Sequence, residues 1–229
     1  MAILYNRRTT LLSVCGVNAR GNKEQAELIR LILQNDIKIV YCIGNAGTGK
    51  TFISLATALQ MIYDGKFGKK RGKIYYIREP IEVGKSLGFL PGDLNDKFDV
   101  YLDGIKDNLE QIEDIGGMIN AREAMHHIEC RPPNYLRGAS KDNCVVIIDE
   151  AQNLSMLEIR TILTRCGEHT KCILLGSTNQ IDNKNMTKED NDFIKSYEKL
   201  KEFPFVGFVE LFKSERSSVC SLIDEALSE

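Results

Sequence analysis

Residues 44 to 51 read Gly44-Asn45-Ala46-Gly47-Thr48-Gly49-Lys50-Thr51, the pattern G-x-x-x-x-G-K-[ST]. No other stretch of the chain constrains its fold so tightly. Such a loop wraps a phosphate when a strand delivers the chain to it and a helix carries the chain away. Both are present: Ile37-Lys38-Ile39-Val40-Tyr41-Cys42-Ile43 is a β-branched run, and Phe52 to Ile62 has helical composition. The glycines let successive backbone N–H groups converge on a β-phosphate. Lys50 adds a point charge at the β/γ oxygens, and the hydroxyl of Thr51 is suited to ligate a metal ion. Strand, loop and helix in this order predict a nucleoside triphosphate site served by Mg²⁺, its phosphates cradled by Gly44, Asn45, Ala46, Gly47, Thr48, Gly49, Lys50 and Thr51.

Around this unit, apolar strands alternate with helical segments over 229 residues, 43% of them hydrophobic, with five prolines and no linker-like tract. The expectation is an α/β fold in a single domain over residues 1–229, with 1–20 an irregular or short β arm. Helices are predicted for Asn22 to Leu33, Phe52 to Ile62, a run capped by Asp93 with Leu94, Phe98, Leu102, Ile105, Leu109 and Ile112 as its core stripe, Met156 to Cys166, and Ser217 to Leu227. Strands are predicted at Ile37–Ile43, Lys73–Ile77, His127–Cys130, Asn143–Ile148, Lys171–Leu175 and Phe205–Leu211. Strands this apolar imply a mostly parallel sheet covered by helices on both faces. Ligands of such sheets bind beyond the strands' carboxyl ends, so the loops after Ile43, Ile77, Ile148 and Leu175 are expected to share one face.

Composition narrows the function classes. Thirty basic against 32 acidic side chains leave a net charge of −2, so a nucleic-acid site has to be local. The seven cysteines form no C-x-x-C pair, which predicts free thiols in a reducing compartment and not a zinc site with His126, His127 or His169. No signal peptide is recognisable in Met1 to Arg8, and nowhere do about 18 apolar residues run together as a membrane span requires. A soluble protein of the cytoplasm, without a membrane partner, is expected.

Val145-Val146-Ile147-Ile148-Asp149-Glu150 is an apolar strand ending in two carboxylates, the layout of a Walker B element. Asp149 is expected to hold Mg²⁺ through its water shell and Glu150 to polarise an attacking water. Glu150 favours hydrolysis over small-molecule phosphorylation, because a kinase keeps water from the γ-phosphate. Gln152 follows within Asp-Glu-Ala-Gln, and Gln180 lies beyond the next strand in Gly176-Ser177-Thr178-Asn179-Gln180. Amides there can bond the γ-phosphate or the water, while Gln180 as a simple turn cap is the alternative. Gln25, upstream of the loop strand, is placed to read an adenine edge.

Further residues carry a resemblance over about Gln25 to Leu227. They are Arg78 with Glu82-Val83-Gly84-Lys85-Ser86-Leu87-Gly88-Phe89-Leu90-Pro91-Gly92-Asp93, then Tyr135-Leu136-Arg137-Gly138, Asp149-Glu150-Ala151-Gln152-Asn153, Leu163-Thr164-Arg165 and Gln180-Ile181-Asp182. In these the sequence resembles PhoH-like P-loop ATPases of the compact, single-domain bacteriophage type, related to superfamily 1 helicase cores. The resemblance implies a RecA-like fold, ATP as the nucleotide, ATP hydrolysis, work on RNA or single-stranded DNA, and a homo-oligomeric ring, hexameric in the family. A phage-encoded chain would work in the host cytoplasm. Gly176-Ser177 stands where the family usually has Gly-Asp, which questions the polar coupling made there.

A lone RecA-like domain cannot present a cation to the γ-phosphate from the opposite side, so a neighbouring subunit has to supply an arginine finger. Arg216 is the first candidate and Arg165 the second; a surface salt-bridge partner is the alternative reading of each. The basic run Lys66 to Lys73 joins the loop helix to the next strand at the edge away from ATP and reads as a solvated loop. Glu82 to Asp93, with Lys85 and Phe89, suits a single strand's charge and stacking, or packs its apolar residues on the core. The main rival to a motor is a nucleotide-dependent switch that regulates a protein partner such as a nuclease; a small-molecule kinase is third.

Overall fold

The computed structural model describes residues 13–19, 21–67, 72–79, 94–136, 140–177 and 191–215, with side chains placed except at 94–101 and 135–136. Gln180, Arg137, Arg216, the segment 82–93 and the predicted helix 217–227 lie outside the described residues.

An antiparallel hairpin opens the described chain, β1 (Ser13–Val14) against β2 (Val17–Asn18). Six further strands form one sheet: β3 (Ile39–Gly44), β4 (Lys73–Arg78), β5 (Ile128–Arg131), β6 (Cys144–Asp149), β7 (Lys171–Gly176) and β8 (Val206–Leu211). Their spatial order is β5-β4-β6-β7-β3-β8, and every pairing is parallel. The carboxyl ends of β3, β4, β6 and β7 therefore meet along one edge, as the strand pattern predicts.

Strand alternation sends successive side chains to opposite faces, and β6 shows this along its length. Val145 and Ile147 pack with Leu28, Leu55, Leu59, Ile105 and Leu109. Cys144, Val146 and Ile148 pack with Ile159, Ile162 and Phe193. The first group brings α1 (Lys23–Leu33), α2 (Lys50–Tyr63), α3 (Leu94–Gly116) and α4 (Ala121–Met125) onto one face. The second brings α5 (Met156–Leu163) and α6 (Asp192–Leu200) onto the other. Each fully buried Val, Leu or Ile contributes about 1.5–3 kcal/mol, so a strand buried on both faces has no cheaper placement than the centre of the sheet.

Local chemistry sets the helix ends. The Asn22 side chain accepts the Gln25 N–H to start α1, and Ser155 with Glu158 forms a reciprocal capping box at α5. The sequence pattern carries α5 to Cys166, but the helix ends at Leu163. Beyond it, the Arg165 carbonyl accepts the Lys141 N–H and the Lys141 carbonyl accepts the Gly167 N–H, so strand-like pairing claims the groups a further turn would need. The expectations passed over α4 and α6. Yet α6 carries a local signal: Asn191 caps it through Phe193 and Ile194 N–H, ahead of apolar Phe193, Ile194, Tyr197 and Leu200.

Candidate active site

The phosphate loop joins β3 to α2, and its shape depends on glycine. Gly47 and Gly49 sit at φ 76° and 82°, in the left-handed region where a side chain is strained. Gly44 is required for space: a Cβ there would stand 2.7 Å from the Leu211 carbonyl oxygen and 2.9 Å from Thr48 Oγ1. Two contacts hold the loop from outside, and a third anchors one of them. Gln25 Nε2 donates to the Thr48 carbonyl at 3.0 Å, the Glu215 N–H donates to the Gly47 carbonyl at 2.8 Å, and Asn22 Nδ2 donates to Glu215 at 2.7 Å. Gln25, buried in the first turn of α1, thus lies against the loop at Thr48 and Gly49.

Lys50 curls over the loop, donating to the carbonyls of Gly44 at 2.6 Å and Asn45 at 2.9 Å. A phosphate offers stronger acceptors to the same ammonium. Thr51 Oγ1 lies 3.3 and 3.2 Å from the two Asp149 carboxylate oxygens. Hydroxyl and carboxylate together make an oxygen-only donor set of the hard kind Mg²⁺ takes, and the residues present fit that ion.

Asp149 ends β6 almost fully buried. Its Oδ1 accepts the Glu150 N–H at 3.0 Å, and its Oδ2 accepts a short hydrogen bond from the Tyr76 hydroxyl. Glu150 occupies the left-handed region, φ 51°, a conformation that costs on the order of 1–3 kcal/mol for a residue with a side chain. Gln152 holds it there: Nε2 donates to Glu150 Oε2 at 2.6 Å, while Oε1 accepts the Ser177 N–H at 3.0 Å. Asn191 Nδ2 donates to the Gln152 carbonyl at 2.9 Å, so the cap of α6 is tied to the same turn. Burial, then the neighbouring Asp149 charge, raises the Glu150 carboxyl above its ordinary range, with Gln152, Arg78 and Lys50 opposing.

Lys50, Thr51, Asp149, Glu150, Gln152 and Gln25 are therefore gathered around one loop. Gln152 grips Glu150 and β7. The family departure at Ser177 leaves this link intact, because the donor is the main-chain N–H. Arg165 lies at the far end of the sheet, its carbonyl bonded to the N–H of Lys141 ahead of β6, and so reaches no part of its own chain's site.

Sequence inspection missed two residues. Tyr76 and Arg78 project from β4 beside Asp149: Arg78 stands opposite Asp149 in the parallel register, and Tyr76 opposite Ile147. Arg78 Nη1 is 3.9 Å from Asp149 Oδ2, and Nη2 is 3.9 Å from Glu150 Oε1. Arg78 appears in the resemblance without a role. The one available signal was an apolar strand breaking into a polar end, Tyr76-Ile77-Arg78, at the same edge as the Walker B strand.

Fold and site together define a RecA-like P-loop fold with a Walker A loop facing a Walker B carboxylate pair. The family model described as PhoH-like protein matches residues 17–228, and the chain belongs to the PhoH family. Protein PhoH2 of Bacillus subtilis (strain 168) is 36% identical over 209 residues, covering 90% of this chain and 47% of that protein. A PhoH-like protein of the same organism is 39% identical over 160 residues, covering 69% and 47%. The chain thus spans about half the length of the curated relatives it matches. Among solved structures it is similar to a Pif1 helicase from Candida albicans, at 15% identity and a TM-score of 0.42 over 90% of this chain and 43% of the other. Among the described residues no helix is long and apolar enough to cross a membrane.

Proposed function

We propose that this chain is a Mg²⁺-dependent ATP hydrolase, acting as one domain over residues 1–229 and coupling hydrolysis to RNA or single-stranded DNA as a cytoplasmic homo-oligomer. The observation that carries it is the approach of the Thr51 hydroxyl to both oxygens of Asp149, with Glu150 next in the chain and Lys50 on the loop. When bound, the metal would be held by Thr51 and Asp149 and would draw charge from the β/γ phosphate oxygens. Lys50 binds those oxygens, and Glu150 accepts a proton from the attacking water at its carboxylate. Gln180 is assigned to sense the γ-phosphate, and Gln25 to meet the nucleobase beside the loop. Ring assembly, hexameric as the family resemblance implies, lets Arg216 of a neighbouring copy, or failing that Arg165, face the γ-phosphate from the open side.

One observation favours a nucleotide switch as the second possibility. Glu150 is tied to Gln152 and faces Arg78, a resting posture in which water activation waits on rearrangement, so ATP occupancy would regulate a protein partner. Steady-state ATP hydrolysis with and without single-stranded RNA and DNA, beside Lys50→Ala, separates the two. Stimulation by a polymer, lost in Lys50→Ala, supports the motor and names its strand. Slow turnover indifferent to both polymers supports the switch. No turnover above the Lys50→Ala background sinks the hydrolase.

A further inference from the structure

Two side chains of β4, Tyr76 and Arg78, converge on Asp149, and they act on it in opposite senses. Tyr76 is buried among apolar side chains with its hydroxyl on Asp149 Oδ2. A phenol is protonated at neutral pH, so beside the Asp149 carboxylate the hydroxyl is the donor. A donor on one carboxylate oxygen fixes which way the group faces. The other oxygen is left toward the Glu150 N–H, and both remain within reach of Thr51. Orienting partners of this type behind metal ligands commonly set metal affinity.

Arg78 does something different. Its guanidinium lies 3.9 Å from Asp149 and 3.9 Å from Glu150, and it hydrogen-bonds the Tyr76 oxygen. Two adjacent carboxylates at a half-closed edge repel, and this arginine is a cation positioned between them. A divalent ion at Thr51 and Asp149 then has to enter a field that already contains a positive charge. Both reach the site through the carboxylates.

We propose that Tyr76 and Arg78 form a bracket on β4 that sets Mg²⁺ affinity in opposing directions, Tyr76 by orienting Asp149 for the ion and Arg78 by serving as the resident counter-charge that the ion displaces from control of the pair. This rests on the Mg²⁺-nucleotide site proposed above. Both are positioning residues. The opposition is what a purely structural role would not produce, since loss of packing weakens binding in both variants.

The test titrates Mg²⁺ into the full chain with a fluorescent ADP analogue and reads the Mg²⁺ concentration at half-maximal binding. Tyr76→Phe keeps the ring and is expected to raise that concentration by about tenfold or more. Arg78→Gln is expected to lower it several-fold, with Arg78→Lys close to wild type. A second readout needs no nucleotide: Arg78→Gln melts at lower temperature than wild type in metal-free buffer, and Mg²⁺ alone closes the difference. Movement of Tyr76→Phe and Arg78→Gln in the same direction overturns the bracket. A variant that stays at the wild-type value removes its own half of it. Wild-type protein that binds the analogue only with Mg²⁺, beside variants that match it, sinks the bracket and spares the site. Wild-type protein that never binds the analogue sinks both.

Discussion

The two ends of the sheet each bury a charge, and they treat it differently. At the carboxyl ends of the strands, Asp149 and Glu150 are held by side chains: Tyr76, Thr51, Gln152, and Arg78 at 3.9 Å. At the amino ends, Lys171 opens β7 with its ammonium on three main-chain carbonyls, Leu31 at 3.4 Å, Gln34 at 2.8 Å and Ile37 closer still. These carbonyls come from the last turn of α1 and the link to β3, where a helix leaves acceptors without partners and favours a cation. Lys171 fills its donors with groups that cannot move unless the fold moves. The carboxylate pair is gripped by side chains that rotate, at an edge where Glu150 is half-buried. A saturated buried charge fastens one element to another, whereas one with loose partners can change them when a ligand arrives.

The largest expected effect breaks the carboxyl end alone. Glu150→Gln removes the proton acceptor and should lower ATP turnover by about 10²–10⁴-fold while leaving nucleotide binding in place, as read by steady-state hydrolysis beside a binding titration. Retained turnover would remove Glu150 from the mechanism. In the wild type, the raised Glu150 carboxyl means that turnover falls as pH drops through a midpoint above the ~4.3 of a free glutamate. A pH–rate profile with its acid limb at or below that value would contradict the site's geometry.

The amino end should fail in stability. Lys171→Met leaves its carbonyl partners without a donor, and a loss of about 1–3 kcal/mol in urea unfolding is expected, with turnover per folded molecule unchanged. Burial, together with the ammonium groups of Lys66 and Lys38, pushes Lys171 down to about 7, Asp36 opposing. Between that value and its unfolded pKa of about 10.4 the unfolded chain binds more protons than the folded one, so stability should rise with pH, by about 2 kcal/mol from pH 7 to 9. The rise should be absent in Lys171→Met; a variant that keeps it would assign the effect elsewhere.

The smallest effect sharpens the carboxyl end. Ser177→Ala preserves the main-chain N–H that Gln152 accepts, so turnover should match wild type at a cost of at most about 1 kcal/mol in stability. Gln152→Ala cuts the link itself and should lower turnover. Equal turnover in the two variants would show that the Glu150–Gln152–Ser177 connection does not matter.

Much of this molecule is legible in its amino-acid sequence. The loop 44–51, its strand and its helix were readable because eight consecutive residues specify a local conformation, with glycines at Gly47 and Gly49 where φ is positive. The six sheet strands were readable because runs such as Val145 to Ile148 leave few alternatives to a doubly covered position. Helix α6 lies outside the predicted elements although Asn191 caps it. The end of α5 departs from the sequence pattern because the pairing of Arg165 and Gly167 with Lys141 is made by residues more than twenty positions apart.

The phosphate loop and the Walker B carboxylates follow from spacing within single segments, and the parallel α/β class from the run of apolar strands between helices. That Tyr76 and Arg78 face Asp149, that Gln152 links Glu150 to β7, and that Lys171 closes the end of α1 are products of the folded chain. Those contacts depend on which strand lies beside which and in what register. Strand order is set by how all the helices cover both faces at once, a property of the whole chain that no segment carries alone.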